Sequence, residues 1–376
     1  MRVVVCPDSF KGSLSAIQVA TIIANAFHEV DQTITVDCVP IADGGEGTID
    51  AFYASVGGQL KDVTVKNPMH QLIKAQYLVL PDNTCVIEMA QSTGLHLVKE
   101  EIRNPLVATS YGMGEMIRHA LDAGYRNFVI GIGGSATNDG GYGLLRALGI
   151  RFYDEKGEEL AEDVLALKKL AQIDTTNFDS RIGESIWNIA CDVDNPLLGK
   201  NGATAIFGPQ KGVTMEMQDQ LEEALAQLAK VITKQVGTAV HEVAGAGAAG
   251  GVGMALLAYF PVVLKSGIEI VSMTTGLKEK IAQADYVLTG EGHSDHQTLN
   301  GKAPLGIAKL AKQQGIPAVL LSGRVSNESM QELFSYFKII MSVAEEQMST
   351  SFAMDHAVDL LFTRAKELAQ QLKETT

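Results

Sequence analysis

The sequence predicts an α/β protein of two domains. One is a doubly wound parallel sheet built from both chain ends, and the other is a mixed α/β domain inserted between them. Three observations carry this. The chain has 376 residues, more than one hydrophobic core usually serves. Near both ends, short apolar runs lead into loops bearing Gly, Asp or Lys and then into helical patterns; this happens after residues 3–6, 34–39, 284–289 and 318–321. From Gly57 the pattern changes to alternating runs joined by short turns, which is antiparallel chemistry. The expected division is 1–60 with 280–376 for the doubly wound domain and 61–279 for the inserted one.

The elements follow in order. Residues 3–6 are an apolar strand stopped by Pro7. Ser15 with Gln18 three residues later is a capping-box pattern, and Ile17, Ala20, Ala24 and Phe27 fall on one helical face. Residues 34–39 alternate as a second strand, and a glycine loop, Gly44-Gly45-Glu46-Gly47, opens a helix through Ile49 and Phe52. Residues 63–65, 73–80 and 84–89 read as meander strands, 109–123 as a helix closed by Gly124, and 128–132 as a buried strand. Residues 149–153 and 187–191 read as further strands, and 208–212 as loop. Met217, Leu221, Leu225, Leu228 and Ile232 form a helical stripe. Residues 249–258 read as a small-residue helix. Strand 284–289, a helix ending at Gln314 with Gly315 beyond it, strands 318–321 and 339–341, and a terminal helix with Ala357, Leu361, Ala365 and Leu368 on one face complete the chain.

The bulk numbers narrow the function. Net charge is −14, which argues against nucleic acid or an anionic membrane as partner. An anionic substrate would meet a repelling field, so local lysines, arginines, backbone N–H groups or a metal must reverse the sign. Cys6, Cys38, Cys85 and Cys191 have no C-x-x-C spacing and lie in or beside apolar runs. They read as buried, reduced thiols. No signal peptide or membrane-length apolar run is visible, so a cytoplasmic protein is expected.

Lys11, Asp43, Ser135, Asp139, Asp192, Glu291, Asp295 and Lys302 all fall in loops after expected strands. In open α/β sheets that edge binds ligands. Carboxylates, lysines and glycine loops together suit phosphoryl transfer. Phosphates need lysines and N–H groups, Mg²⁺ needs one or two carboxylates, and the acceptor hydroxyl needs a base. The run from Gly133 to Gly141 lacks the Gly-Lys-Ser/Thr ending of a P-loop, and no G-x-S-x-G elbow is present. His293 and His296 share a loop, a weak transition-metal signal. Gly245 to Gly251 matches G-x-G-x-x-G by letter, but only a weak run at 239–243 precedes it. Close packing of a small-residue helix, with a nucleotide against it as an open alternative, explains it better than a dinucleotide fingerprint.

Six stretches in order resemble the bacterial type I glycerate kinases over nearly the whole chain. They are Asp8-Ser9-Phe10-Lys11-Gly12, Ala42-Asp43-Gly44-Gly45-Glu46-Gly47, the run from Gly131 to Gly141, the run from Cys191 to Leu197, the run from Gly245 to Gly251, and Thr289-Gly290-Glu291-Gly292 with Gln297-Thr298 and Gly301-Lys302. The resemblance implies ATP- and Mg²⁺-dependent phosphorylation of D-glycerate to 2-phosphoglycerate. It also implies a flavodoxin-like domain and a restriction-enzyme-like domain, with the active site in the cleft between them. There is one departure: the family's Gly-Glu-Gly is usually followed by arginine, and here His293 stands in that place.

On this reading Lys11, Asp43 and Asp192 are the catalytic candidates. Lys11 neutralises the acid's carboxylate or the transferred phosphate, and Asp192 or Asp43 takes the acceptor proton. Ser9, Lys11, Asp43, Gly44, Gly45, Asn195, Glu291, Asp295 and Lys302 are the substrate candidates. Gly133, Gly134, Ser135, Asn138 and Asp139 are the nucleotide candidates, and Asp192 and Glu291, with Asp43 beside them, the metal candidates. The competing readings are a kinase of another small hydroxy acid, a kinase giving 3-phosphoglycerate, or a non-catalytic metabolite-binding regulator.

Overall fold

The computed structural model describes residues 1–41, 44–299 and 302–375. Asp43, a catalytic candidate, lies outside the described residues, as does Gly301.

The chain opens with strand β1 (Arg2–Pro7), helix α1 (Ala16–Val30), strand β2 (Thr35–Cys38) and helix α2 (Thr48–Val56). Helix α1 begins at the expected capping box: Gln18 N–H donates to Ser15 Oγ at 3.2 Å, and Ser15 N–H donates to Gln18 Oε1 at 2.8 Å. Strands β3 (Gln59–Lys66), β4 (Leu72–Val79) and β5 (Thr84–Glu88) form the meander. Helix α3 (Tyr111–Asp122) then leads to β6 (Asn127–Gly131). Later come β7 (Ile186–Ala190), α4 (Met215–Val236), α5 (Ala248–Tyr259) and β8 (Val262–Lys265). The chain closes with β9 (Tyr286–Gly290), α6 (Ala303–Gln313), β10 (Ala318–Ser322), β11 (Ile339–Ser342) and α7 (Ala357–Thr375).

Two units result: Met1–Asp43 with Asp50–Gly57 and Gly267–Thr376, and Gly44–Ile49 with Gly58–Ser266. In the first, five parallel strands run in the order β11-β10-β9-β1-β2. Counted within the unit this is 2-1-3-4-5, the flavodoxin-like order. The two chain ends thus make one doubly wound sheet. Helices α1 and α7 cover it through Val19, Ile23, Phe27, Leu361, Ala365 and Leu368. In the second unit the order is β8-β7-β6-β5-β4-β3, with β5 to β8 parallel and β3 to β5 antiparallel. This is the mixed inserted sheet. The stripe of α4 is buried at Leu221, Leu225, Leu228 and Ile232.

The short helices Gly267–Thr275 and Leu277–Ile281 group with the chain ends, whereas the sequence pattern puts the end of the insert at 279. Ile268 packs against Gly306 of α6. An amphipathic helix carries no local signal of which sheet it covers. The run at 239–243 is also not a strand: Val240–Glu242 is a 3-10 turn. Among the described residues no helix is long and apolar enough to cross a membrane.

Replacing Ser15 by Ala removes the cap acceptor and should lower stability by about 1 kcal/mol. Chemical denaturation checks this, and an unchanged midpoint would show that the cap contributes nothing.

Candidate active site

In the inserted unit four parallel strands end side by side. Glu88 is level with Gly131, Gly131 with Ala190, and Ala190 with Lys265. The segment from Gly44 to Thr48 lies on this edge. Gly133 N–H donates to Gly44 O at 2.9 Å. A Cβ on Gly131 would sit 2.4 Å from Gly44 O, and one on Gly133 would sit 2.7 Å from Gly45 Cα. These glycines are therefore required by backbone approach, not by turn geometry alone. Glu88, which in the sequence falls inside the 84–89 strand run, accepts from the backbone where α2 starts. It is fully buried, accepts from Ile49 N–H at 2.8 Å and from Gln91 Nε2 at 3.2 Å. A carboxylate there satisfies a helix-start donor and faces the positive end of the helix.

The turn after β6 is pinned from several sides. Leu95 N–H donates to Gly134 O, Ala136 N–H to Thr93 O and Gly140 N–H to Gly250 O. Asp139, expected on the nucleotide side, is 1% exposed. Its carboxylate accepts from the Ser110 N–H and hydroxyl and from the N–H groups of Gly141 and Gly143. It holds the loop's own backbone, and burial raises its pKa above the usual carboxylate value. Among the described residues no protein acceptor takes the N–H of Gly134 or Ser135, and Gly134 is exposed. Those two donors stand ready for an anion. Asn138 Nδ2 donates to Thr204 Oγ1 at 3.0 Å, while Asn138 Oδ1 and Thr137 Oγ1 are buried without a partner.

Asp192 is exposed just past the end of β7, the strand that pairs with β6. Cys191 N–H, donating to Lys265 O at 2.9 Å, fixes the chain before it. Asn195, a substrate candidate, is occupied with its own turn: its carbonyl accepts from Gly247 N–H, and Nδ2 donates to Asn201 O at 2.8 Å. The Gly245 to Gly251 run packs against the turn after β6. Ala249, Gly250 and Gly251 are left-handed, with φ of 54°, 67° and 94°, and a Cβ on Gly250 would lie 2.0 Å from Thr137 O. With no strand before it, the dinucleotide letter match has no dinucleotide geometry.

In the doubly wound unit, Asp8 follows β1, and its N–H donates to Gly290 O at 2.8 Å. The next residue, Ser9, donates its N–H to Asp8 Oδ1 at 2.6 Å. Lys11 is exposed in the turn beyond. Glu291, 6% exposed, follows β9. Its Oε1 accepts from the Thr298 hydroxyl at 2.6 Å and the Ser294 hydroxyl at 3.2 Å, and Oε2 meets Lys302 Nζ at 3.3 Å. Two separately expected residues, Glu291 and Lys302, are thus an ion pair. Asp295 N–H donates to Thr298 Oγ1 at 3.0 Å, closing the same loop. His293 stands beside Arg324 in a two-residue parallel pairing. An arginine therefore neighbours the position where the family's usual one is replaced. Among the described residues no group of three His, Cys, Asp or Glu side chains could hold a metal.

The glycerate kinase family model matches residues 3–373. The chain belongs to the glycerate kinase family. It is an enzyme of that kind, which removes the non-catalytic reading. It is 41% identical over 374 residues to the glycerate kinase of Bacillus subtilis, covering 99% of this chain and 98% of that one. It is 44% identical over 329 residues to the glycerate 2-kinase of Escherichia coli, covering 87% and 86%. A crystal structure from Salmonella typhimurium LT2, of a protein assigned as glycerate kinase 2, superimposes with a TM-score of 0.88 at 41% identity, covering 100% of this chain and 99% of that one.

Gly131→Ala forces a methyl against Gly44 O and should displace the 44–48 segment. An ångström-scale shift of a binding loop costs about 10²-fold in turnover. Glycerate phosphorylation is expected to fall on that scale with the far-UV circular dichroism unchanged. Wild-type turnover would show that the close approach does not matter to the reaction.

Proposed function

We propose that the enzyme transfers the γ-phosphoryl group of ATP to the 2-hydroxyl of D-glycerate, giving 2-phosphoglycerate, with Mg²⁺. One observation supports this above the others. Adjacent parallel strands of one sheet end in the pinned Gly133–Ser135 turn and in the exposed carboxylate of Asp192. The first offers N–H groups to phosphate oxygens, and the second offers a proton acceptor. The glycerate 2-kinase name of the Escherichia coli relative favours the 2-position.

The acceptor oxygen bonds to the γ-phosphorus as the bond to the ADP oxygen breaks, and the hydroxyl proton passes to Asp192. Lys11 neutralises the glycerate carboxylate. The Gly133, Gly134 and Ser135 turn takes nucleotide phosphate oxygens. Glu291 and Asp192 keep their sequence-based assignments as the candidate carboxylates for the metal. Mg²⁺ is held by one or two carboxylates with substrate phosphates and water, and these are the residue types such an ion takes. When bound, the ion neutralises charge on the β- and γ-oxygens. Asp43 keeps its sequence-based assignment as the second carboxylate toward the acceptor.

A coupled ADP-release assay with Mg-ATP should respond to D-glycerate and not to L-glycerate, and NMR should identify 2-phosphoglycerate. ADP release indifferent to D-glycerate, or a 3-phosphoglycerate product, would contradict the reading. Asp192→Asn should cut turnover by about 10²-fold or more, the scale of a lost general base, with the fold retained. Near-normal turnover in that variant would remove Asp192 from the role.

A further inference from the structure

Lys211 is 3% exposed. In the sequence it falls within the 208–212 loop. In the structure it ends the 3-10 turn Pro209–Lys211, and left-handed Gly212, φ 92°, follows it. That turn is fixed at its base by Lys211 N–H to Gly208 O and Val213 N–H to Gly208 O, and from outside by Arg103 Nη1 donating to Gln210 O at 3.0 Å. The side chain runs inward. Its Nζ donates to Ser135 Oγ at 2.8 Å and to Thr137 O at 2.7 Å. Both acceptors are neutral. No carboxylate lies within 4.0 Å of this ammonium among the described residues. The charged group that faces it is Asp139, whose oxygens are taken by four other donors.

A buried cation without a close counter-ion is disfavoured by desolvation. It persists where something else needs the charge. Two features next to it point to a ligand. The Thr137 hydroxyl is fully buried with no partner. The Ser135 oxygen, already accepting from an ammonium, has its own proton left to donate. Both belong to the turn whose Gly134 and Ser135 N–H groups have no protein acceptor.

We propose that Lys211 is the buried positioning cation of a phosphate subsite at Gly133–Ser135: it occupies Ser135 Oγ as acceptor and so commits the Ser135 hydroxyl proton, and a local positive charge, to a phosphoryl oxygen of the bound nucleotide. The inference rests on the reading that this turn takes nucleotide phosphates. It also supplies the local reversal of sign that a chain of net charge −14 requires at an anion site.

Burial pushes the Lys211 ammonium down to about 7, with the Asp139 carboxylate opposing the shift. An anion on Ser135 favours the charged form. Above that pH, binding therefore draws a proton onto Lys211, and affinity falls as pH rises. Calorimetric titration of the full chain with ADP at about pH 8, in two buffers of different ionisation heat, reads this directly. The terminal phosphate is already ionised there, so uptake belongs to the protein. The expected result is proton uptake approaching about one per ADP, with affinity falling by up to about tenfold per pH unit above neutrality. Lys211→Met should bind ADP about tenfold or more weakly near neutral pH and show no uptake. Lys211→Arg should keep binding within about threefold, also without uptake, because arginine does not deprotonate. ADP binding by the wild type without proton uptake would overturn the proposal, even if the Met variant failed to fold. So would binding by Lys211→Met within about twofold of wild type, or uptake seen with 2-phosphoglycerate and not with ADP. Glycerate-dependent turnover separates the two readings. Turnover in a Met variant that binds ADP normally sinks only this inference, and proton-linked ADP binding without such turnover sinks only the proposed function.

Discussion

The close approach of two backbones, Gly44 against Gly131 and Gly133, is the constraint on which the inserted unit's edge depends. A peptide carbonyl sits where the side chain of any other residue at 131 would be. Repulsion at such distances rises steeply, so the choice of glycine is enforced by excluded volume and not by propensity. Once Gly133 N–H is bonded to Gly44 O, the helix start at Ile49 lands on the Glu88 carboxylate. The turn that follows β6 is then tied to the 93–95 segment and to Gly250. Among the described residues the Gly134 and Ser135 N–H groups are left without a protein acceptor, so the proposed phosphate contacts would need no reorganisation of this backbone.

Three buried charges sit behind this edge, and their environments differ. Glu88 is held by a helix-start N–H and an amide. Asp139 is held by four donors, enough to offset much of its desolvation. Lys211 has two neutral acceptors. A hydrogen bond to a charged group contributes roughly 1.5–3 kcal/mol, and the effective penalty of burying an unpaired ion is several kcal/mol. The first two charges are thus explained by the loops they hold. The third is less well compensated by the protein alone.

Much of the fold was legible in the sequence because its signals are local. The Ser15 and Gln18 box, the α4 stripe and the terminal stripe of α7 each depend on residues within a turn or two of one another. The strand, loop and helix alternation at both chain ends was enough to expect one sheet from both. The glycine loops could be placed at strand ends for the same reason. What was not legible depends on long-range pairing. Lys211 meets Ser135 across 76 residues of chain, and nothing in Gly208-Pro209-Gln210-Lys211-Gly212 separates it from a solvated lysine. Glu88 reads as the end of a strand until Ile49 arrives. Asp139 has the chemistry of a ligand to metal or hydroxyl, and only the fold shows that Ser110, Gly141 and Gly143 already use it. The letter match from Gly245 to Gly251 fails for the converse reason: its glycines answer to Thr137 and Gly140, their packing partners.

In the proposed function the Gly133–Ser135 turn holds nucleotide phosphate. A crystal structure of the enzyme with ADP tests it most directly. The expected result is a phosphate oxygen within hydrogen-bond distance of the Gly134 or Ser135 N–H and of Ser135 Oγ, with Lys211 still behind the serine. Phosphates seated instead on the Gly245 to Gly251 run, with the Gly133–Ser135 turn untouched, would contradict it.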